Sequence, residues 1–171
     1  MGQLNLSSGV EFTGSGNYFS HTGTTSPILL ATAPETSQSI SDATWTKNTW
    51  LTGERIDSDS AYTSTKFTVP AGKAGWYYVA VGVNLYSNDN NMRNGQVAIY
   101  KNGSKVAGSY SIVMSGDQDL RHFQCFNQTV LELAVNDYIE QYMYCDCTSG
   151  TIYMSSDASG IRGNYLLIYK L

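Results

Sequence analysis

The chain has 171 residues, enough for one domain with an appendage, and only 14% of them are charged, against about 25% in ordinary globular chains. Ten basic and fourteen acidic residues give a formal net charge of −4, which argues against a nucleic-acid partner. No apolar run approaches the roughly 20 residues of a membrane span, and no signal-peptide pattern opens the chain, so the sequence predicts synthesis in a cytoplasm and no membrane partner.

The first predicted element is an extended N-terminal arm over residues 1 to 35. Gly or Pro recurs every few positions there, so the segment cannot build a core of its own. It nevertheless holds more apolar residues than a solvated linker would. We therefore expect an arm that anchors the chain to a neighbouring molecule. The anchoring candidates are Leu4, Leu6, Val10, Phe12, Ile28 and Leu29.

The second predicted unit, residues 36 to 171, alternates short strand-like runs with turn residues and has no amphipathic helix pattern. Asn102 and Gly103 predict a tight hairpin, because both residues tolerate the positive φ of a primed turn. About ten short strands at this spacing predict an all-β, antiparallel jelly-roll sandwich. The predicted strands are 38–41, 45–51, 63–69, 76–86, 95–101, 105–114, 120–133, 138–147, 151–155 and 164–170.

The run from Trp76 to Tyr86 contains no charged residue and separates into two faces if it is a strand. Tyr77, Val79, Val81, Val83 and Leu85 share the face that we expect to fill the domain core. Trp76, Tyr78, Ala80, Gly82, Asn84 and Tyr86 share the opposite face, which is a candidate subunit contact. Burial of both faces inside one monomer is the alternative.

A set of ordered motifs over about residues 38 to 171 points to a known family. Leu51, five residues, Asp57, four residues and Tyr62 are followed by Phe67 and then by Gly75-Trp76-Tyr77-Tyr78. "YKNGS" at 100–104, "LELAVNDYIEQYM" at 131–143 and "GIRGNYLLIYKL" at 160–171 come later. In this order the motifs resemble the globular head of complement-component-1q-like proteins, which are relatives in fold of the tumour necrosis factor family. Leu51 stands in an aromatic place of that pattern, and Asn136 in a glycine place.

The resemblance implies a jelly roll that forms a homotrimer, of the kind found in bacteriophage capsid decoration and fibre proteins. Such an interface is rich in tyrosine and poor in charge. The residues that we expect at the trimer interface are Trp76, Tyr78, Tyr86 and Tyr165.

Catalytic chemistry has little support in the sequence. The two histidines, His21 and His122, lack the context of a nucleophile and its base, so we predict that the chain is not an enzyme. The three cysteines, Cys125, Cys145 and Cys147, are an odd number, and we expect free thiols, with a disulfide or a metal site as alternatives. No zinc-type spacing appears.

Two kinds of ligand stay open. No cofactor is predicted, but loop carboxylates and amides at 57–60, 89–91 and 116–119 are the groups that calcium prefers, and the resemblance allows calcium near a trimer axis. A sugar could stack on Tyr86 beside Asn88, Asp89 and Asn90, although aromatic residues of a sandwich also belong to cores. Tyr153 near Asp157 is a second such place.

Together these features predict a virion structural protein made in the host cytoplasm. It would be a trimeric capsid decoration (cement) or fibre-knob protein, joined to other capsid or tail proteins by its N-terminal arm. The alternative is a tail-fibre or lectin-like head that binds a cell-surface glycan or receptor.

Overall fold

The computed structural model describes residues 5–6, 10–12, 19–21, 26–33, 37–89, 91–114, 119–155 and 163–171. These residues form an antiparallel all-β sandwich with no helix, which confirms the predicted fold class. The strands are β1 (Asn5–Leu6), β2 (Val10–Phe12), β3 (Phe19–His21), β4 (Ile28–Thr32), β5 (Ser37–Ile40), β6 (Thr46–Lys47), β7 (Gly53–Asp57), β8 (Tyr62–Thr63), β9 (Lys66–Thr68), β10 (Gly75–Ser87), β11 (Met92–Lys101), β12 (Ser104–Met114), β13 (His122–Leu133), β14 (Tyr138–Cys147), β15 (Ile152–Ser155) and β16 (Tyr165–Lys170).

The larger sheet is built around the long strand β10. One edge of β10 pairs with β13 from Gly75 to Tyr86. The other edge pairs first with β16 and then, beyond Gly82, with β15. Strand β4 adds to β16, β7 adds to β4, and β5 adds to β15. The predicted central strand is therefore the middle of the sheet.

The smaller sheet has the order β12-β11-β14-β9-β8, with β6 also paired to β14. The β11–β12 turn is the predicted tight hairpin, with φ of 52° at Asn102 and 76° at Gly103. Asn136, between β13 and β14, has φ of 69°, a conformation that Asn tolerates better than other residues with a side chain. Asn136 can therefore occupy a position where the family pattern has glycine, because it adopts the required positive φ.

The core lies between the inner faces of the two sheets. Tyr77 and the four aliphatic residues that alternate after it on β10 are fully buried, as predicted. Removing one such side chain from water stabilises the fold by roughly 1.5–3 kcal/mol. The smaller sheet contributes Val97, Ile99, Ile139, Met143 and Cys145 to the same core.

The spaced motif Leu51, Asp57 and Tyr62 closes a loop. The Tyr62 hydroxyl donates to the carbonyl of Leu51 at 2.8 Å. The Asp57 carboxylate accepts from the backbone N–H of Ala61 at 2.9 Å and of Tyr62 at 3.0 Å. Because Tyr62 is buried, its pKa is raised well above the ordinary value. The five- and four-residue spacings therefore place one carboxylate and one phenol where they satisfy backbone groups.

Strand β4 belongs to the head, although the sequence assigned its residues to the arm. It pairs with β16 on one side and β7 on the other, and Leu29 is fully buried in the core. Leu29 is therefore a core residue rather than an anchor, and Ile28 lies on the outside of the larger sheet. The sequence did not reveal this strand because β4 has only five residues and lies between turn residues.

Other strands also differ from prediction. Only Thr46–Lys47 of the predicted strand 45–51 pairs with a neighbouring strand. The predicted strand 63–69 is interrupted by a turn between β8 and β9. Strand β7, which has no clear alternation, was not predicted.

The predicted arm contains a separate three-stranded antiparallel sheet, β1-β2-β3. Leu6 lies on β1, and Val10 and Phe12 lie on β2. Leu4 lies outside the described residues. An anchoring function of these residues stays a prediction.

Candidate subunit-contact surface

Strands β13, β10, β16 and β4 present alternate side chains on the outside of the larger sheet. Pairing registers align these side chains in rows across the four strands. We call this surface the outer face. Its rows are Val130, Tyr78, Tyr169 and Ile28; then Gln128, Ala80, Leu167 and Leu30; then Phe126, Gly82, Tyr165 and Thr32; and, on β13 and β10 alone, Glu132 with Trp76, Gln124 with Asn84 and His122 with Tyr86.

The outer face is largely apolar from the Tyr78 row to the Tyr165 row, and most of its residues are half-buried or exposed in the isolated chain. Ala80 and Gly82 are buried members of it, whereas the inner positions of β10 are fully buried throughout. Monomeric soluble proteins seldom expose such contiguous apolar surface without a partner. The exposed large apolar members, with fractional exposure, are Trp76 (54%), Phe126 (49%), Val130 (46%), Ile28 (40%) and Tyr169 (36%).

Charge is absent from the outer face between the Tyr78 row and the Asn84 row. Glu132 lies opposite Trp76 at one end of the surface, and Arg121 borders the other end. Depletion of charge with retention of aromatic residues is typical of the centre of a protein interface.

Aromatic contacts order the surface. The rings of Tyr78 and Tyr169 stack at 5.0 Å with an interplanar angle of 28°. The Tyr78 hydroxyl donates to Oε1 of Gln128 on the neighbouring strand. Contacts within the single chain therefore fix the positions of both rings.

Gly82 makes room for Tyr165. A Cβ at position 82 would lie 2.4 Å from Cε1 of Tyr165 and 2.5 Å from the carbonyl oxygen of Gly163. Across the same glycine, the rings of Phe126 and Tyr165 are 6.4 Å apart. Burial raises the pKa of Tyr165. Tyr165 thus covers the backbone of β10 where a side chain is missing.

Two buried amides, Gln141 and Asn48, tie the sheets together beneath this point. Nε2 of Gln141 on β14 donates to the carbonyl of Gly82 at 2.7 Å and to that of Tyr165 at 3.2 Å. Nδ2 of Asn48 donates to Oε1 of Gln141 at 2.6 Å. Sequence reasoning missed Gln141; the available signal was a polar residue at an inward-facing position of a strand.

The two sheets also leave free edges side by side. Among the described strands, β12 pairs only with β11, and β13 only with β10. A groove of about 440 Å³ lies between these edges. The hydroxyl of Ser111 is buried there and has no hydrogen-bond partner among the residues that the structure describes. The residues that line the groove are Gly108, Ser111, Phe126, Asn127, Gln128 and Tyr165.

Tyr86 has different neighbours from those suggested by sequence. Its hydroxyl accepts from Arg121 at 2.7 Å, and its ring lies 4.8 Å from that of His122. Asn88 and Asp89 are exposed in the loop that follows, and Asn90 lies outside the described residues.

The three cysteines form no disulfide and are buried. Burial raises the pKa of Cys145 to about 12 and that of Cys147 to about 11, so neither is a thiolate near neutral pH. Within the described part of the chain, no three His, Cys, Asp or Glu side chains gather closely enough to hold a metal ion. The same part contains no helix able to cross a membrane.

Comparison with solved structures finds proteins of similar fold. The globular domain of zebrafish complement 1qA is 11% identical, with a TM-score of 0.54, over 85% of this chain and 97% of that one. Eiger TNF from S. frugiperda is 10% identical, with a TM-score of 0.58, over 86% and 94%. Murine APRIL at pH 5.0 is 18% identical, with a TM-score of 0.55, over 85% and 99%.

No family model matches the chain, and no curated protein matches it either. The sandwich is accordingly a complement-1q-like and tumour-necrosis-factor-like jelly-roll head, in agreement with the motifs.

Proposed function

From a fold shared with complement 1q and tumour necrosis factor heads, we propose that this chain is a non-catalytic structural protein that assembles as a homotrimer. The observation that carries the proposal is the uncharged apolar outer face. In the trimer, the outer face would bury Trp76, Tyr78 and Tyr165, and the Tyr86 end would lie at its border.

A second feature extends the proposed contact surface. The groove between β12 and β13 shares Phe126, Gln128 and Tyr165 with the outer face, so the two form one continuous surface. The buried hydroxyl of Ser111, which has no hydrogen-bond partner among the described residues, could bond to a neighbouring subunit there.

We further propose that the trimer is a virion component, either a capsid decoration (cement) or a fibre-knob protein. Its N-terminal segment would bind capsid or tail proteins, with Leu4, Leu6, Val10 and Phe12 as anchors. The low charge of the chain and the small sheet that precedes the head support this assignment. Binding by apolar burial needs about 1,200–2,000 Å² of interface.

The experiment is a mass measurement by size exclusion with light scattering. Wild type is expected at three times the monomer mass of 18.7 kDa. Trp76→Asp and Tyr78→Asp are expected to give folded monomers, since an unpaired charge in an apolar interface costs several kcal/mol. Val135→Asp is the matched control, because Val135 is exposed in the turn after β13 and lies outside the outer face.

A monomeric wild type, or trimers that persist in both Asp variants, would refute the trimer assignment. The circular dichroism spectrum of each variant separates loss of assembly from loss of fold. Incorporation into purified particles, with and without residues 1 to 25, tests the virion assignment separately.

A second candidate function is a glycan- or receptor-binding head. It is favoured by one observation, a polar pocket at the Tyr86 end of the outer face that is lined by His122, the residue that follows Arg121. The two functions are compatible in one trimer.

A further inference from the structure

We propose that the Tyr86 end of the outer face binds an acidic sugar, with Arg121 as the residue that holds the sugar carboxylate. The proposal deepens the glycan-binding alternative and does not depend on the virion assignment. The site comprises Arg121, Tyr86, His122, Asn84 and Gln124.

Arg121 is an exposed cation held in one orientation. One terminal nitrogen donates to the Tyr86 hydroxyl at 2.7 Å, and the guanidinium carbon lies 5.2 Å from the centre of the Tyr86 ring. A guanidinium has five N–H donors, so donors remain for a ligand beside the one that Tyr86 uses. The planar fork matches a carboxylate in two parallel hydrogen bonds.

A concave space lies beside His122, the residue that follows Arg121 and whose ring contacts that of Tyr86. It measures about 350 Å³ and is lined by Asn84, His122, Phe123 and Gln124. Asn84 and Gln124 face each other across the β10–β13 pair. The backbone N–H of Asn84 donates to Oδ1 of Asn164 at 2.8 Å, which holds this part of β10 in place. Side-chain amides both donate and accept, which suits the hydroxyl groups of a sugar ring.

The charged groups around the cavity favour an acidic ligand over a neutral one. None of the described residues that line the cavity carries a carboxylate. Asp119, two residues before Arg121, pairs instead with Arg93 at 3.3 Å and accepts from Thr148 at 3.1 Å. The polar end of the outer face thus differs from the apolar end near Tyr78, which we assign to subunit contact.

The test is a titration of the full-length protein followed by isothermal calorimetry and saturation-transfer NMR. The probes are glucuronic acid, glucose as the neutral analogue, and inorganic phosphate. Glucuronic acid is expected to bind at least about tenfold more tightly than glucose, one charge-assisted pair corresponding to a tenfold change or more.

Arg121→Gln is expected to weaken glucuronic acid binding at least about tenfold, and Arg121→Lys to weaken it less, because lysine keeps the charge without the fork. Arg55→Gln is the matched control, since Arg55 is an exposed arginine on β7, and its affinity should equal that of wild type.

Equal affinity of Arg121→Gln and wild type, or no binding of glucuronic acid, would overturn the proposal. Phosphate binding as tight as glucuronic acid binding would also overturn it, because the site would then recognise a bare anion. The mass of Arg121→Gln in solution is read separately, so a failure of the sugar site leaves the trimer question unaffected.

Discussion

At the scale of single residues, Gln141 and Gly82 explain how the outer face is supported from within. Gly82 leaves space for the Tyr165 ring on the outside, and its carbonyl accepts from Gln141 on the inside. Alternation predicted which side of β10 is buried, because it depends only on strand geometry. It could not predict that an amide 59 positions later would reach across the core.

Gln141→Leu is expected to destabilise the head by about 2–4 kcal/mol, because two backbone carbonyls and the Asn48 amide lose their partner while buried. The free energy of unfolding is measured by urea denaturation. Gln96→Leu is the control: Gln96 also lies on the smaller sheet but is half-buried on its outside. Equal losses in the two variants would contradict the importance of the buried network.

Gly82→Ala is expected to displace Tyr165, because the added methyl group would overlap both that ring and the Gly163 backbone. Overpacking of this kind costs typically 1–3 kcal/mol. We expect a lower unfolding midpoint together with a weaker trimer. A variant with wild-type stability and assembly would show that the ring moves without consequence.

Asp137 makes a stability contribution that depends on pH. Hydrogen bonds from Lys101 at 2.8 Å and Asn102 at 2.7 Å, and from the Ala134 N–H, lower its pKa from 3.8 to about 2. Since the folded-state pKa is depressed, the stabilisation is complete above pH 4 and is lost as the pH falls towards 2.

Asp137→Asn should therefore be less stable than wild type at pH 6, and the difference should shrink as the pH approaches 2. Denaturation midpoints at several pH values measure it. Glu54→Gln, at an exposed position of β7, is the control. A difference that stays constant with pH would contradict the assignment.

At the scale of elements, long strands were predictable and short ones were not. Strands β10, β11, β12, β13 and β14 follow the predicted runs closely, because ten or more alternating residues leave little ambiguity. Strand β4 was placed in the arm because five residues between turn signals carry little periodicity. Its position is determined by pairing with β16, a partner far away in sequence.

Two truncations distinguish arm from head. Deletion of residues 1 to 25 leaves β4 intact and should give a soluble, folded head. Deletion of residues 1 to 35 also removes the buried Leu29 and Ala31 and leaves one edge of β16 without a neighbour, so we expect an unfolded or aggregated product. Thermal melts by circular dichroism compare them. A cooperative melt of the shorter protein near that of the longer one would contradict the placement of β4 in the head.

At the scale of the whole molecule, the fold was predictable from ordered motifs, whereas the division of the outer face was not. Tyr78, Tyr165 and Trp76 were recognisable as an uncharged aromatic set on predicted strands. The proposed sugar site depends on Arg121 and His122, which the sequence separates from Tyr86 by strands β11 and β12. Such a cluster becomes visible only when the pairing register of β10 and β13 is known.

The rate at which the buried thiols react measures how often the whole sandwich unfolds. Cys125 and Cys145 are buried in the shared core, and burial raises the pKa of Cys145, so native protein should react slowly with a thiol reagent. Complete reaction should require unfolding, and its rate should rise with denaturant in parallel with loss of the β signal. Rapid modification of all three thiols in buffer would indicate that the sandwich opens locally.

The location of β16 has a consequence for biosynthesis. Tyr165–Lys170 lie between β10 and β4, which are both made much earlier. While the nascent chain lacks residues 165 to 170, the edges of β10 and β4 that will receive β16 have no partner, and the larger sheet cannot close. A ribosome stalled before residue 165 should therefore carry a chain that is sensitive to protease and bound by chaperones, and subunits should associate only after this strand has emerged.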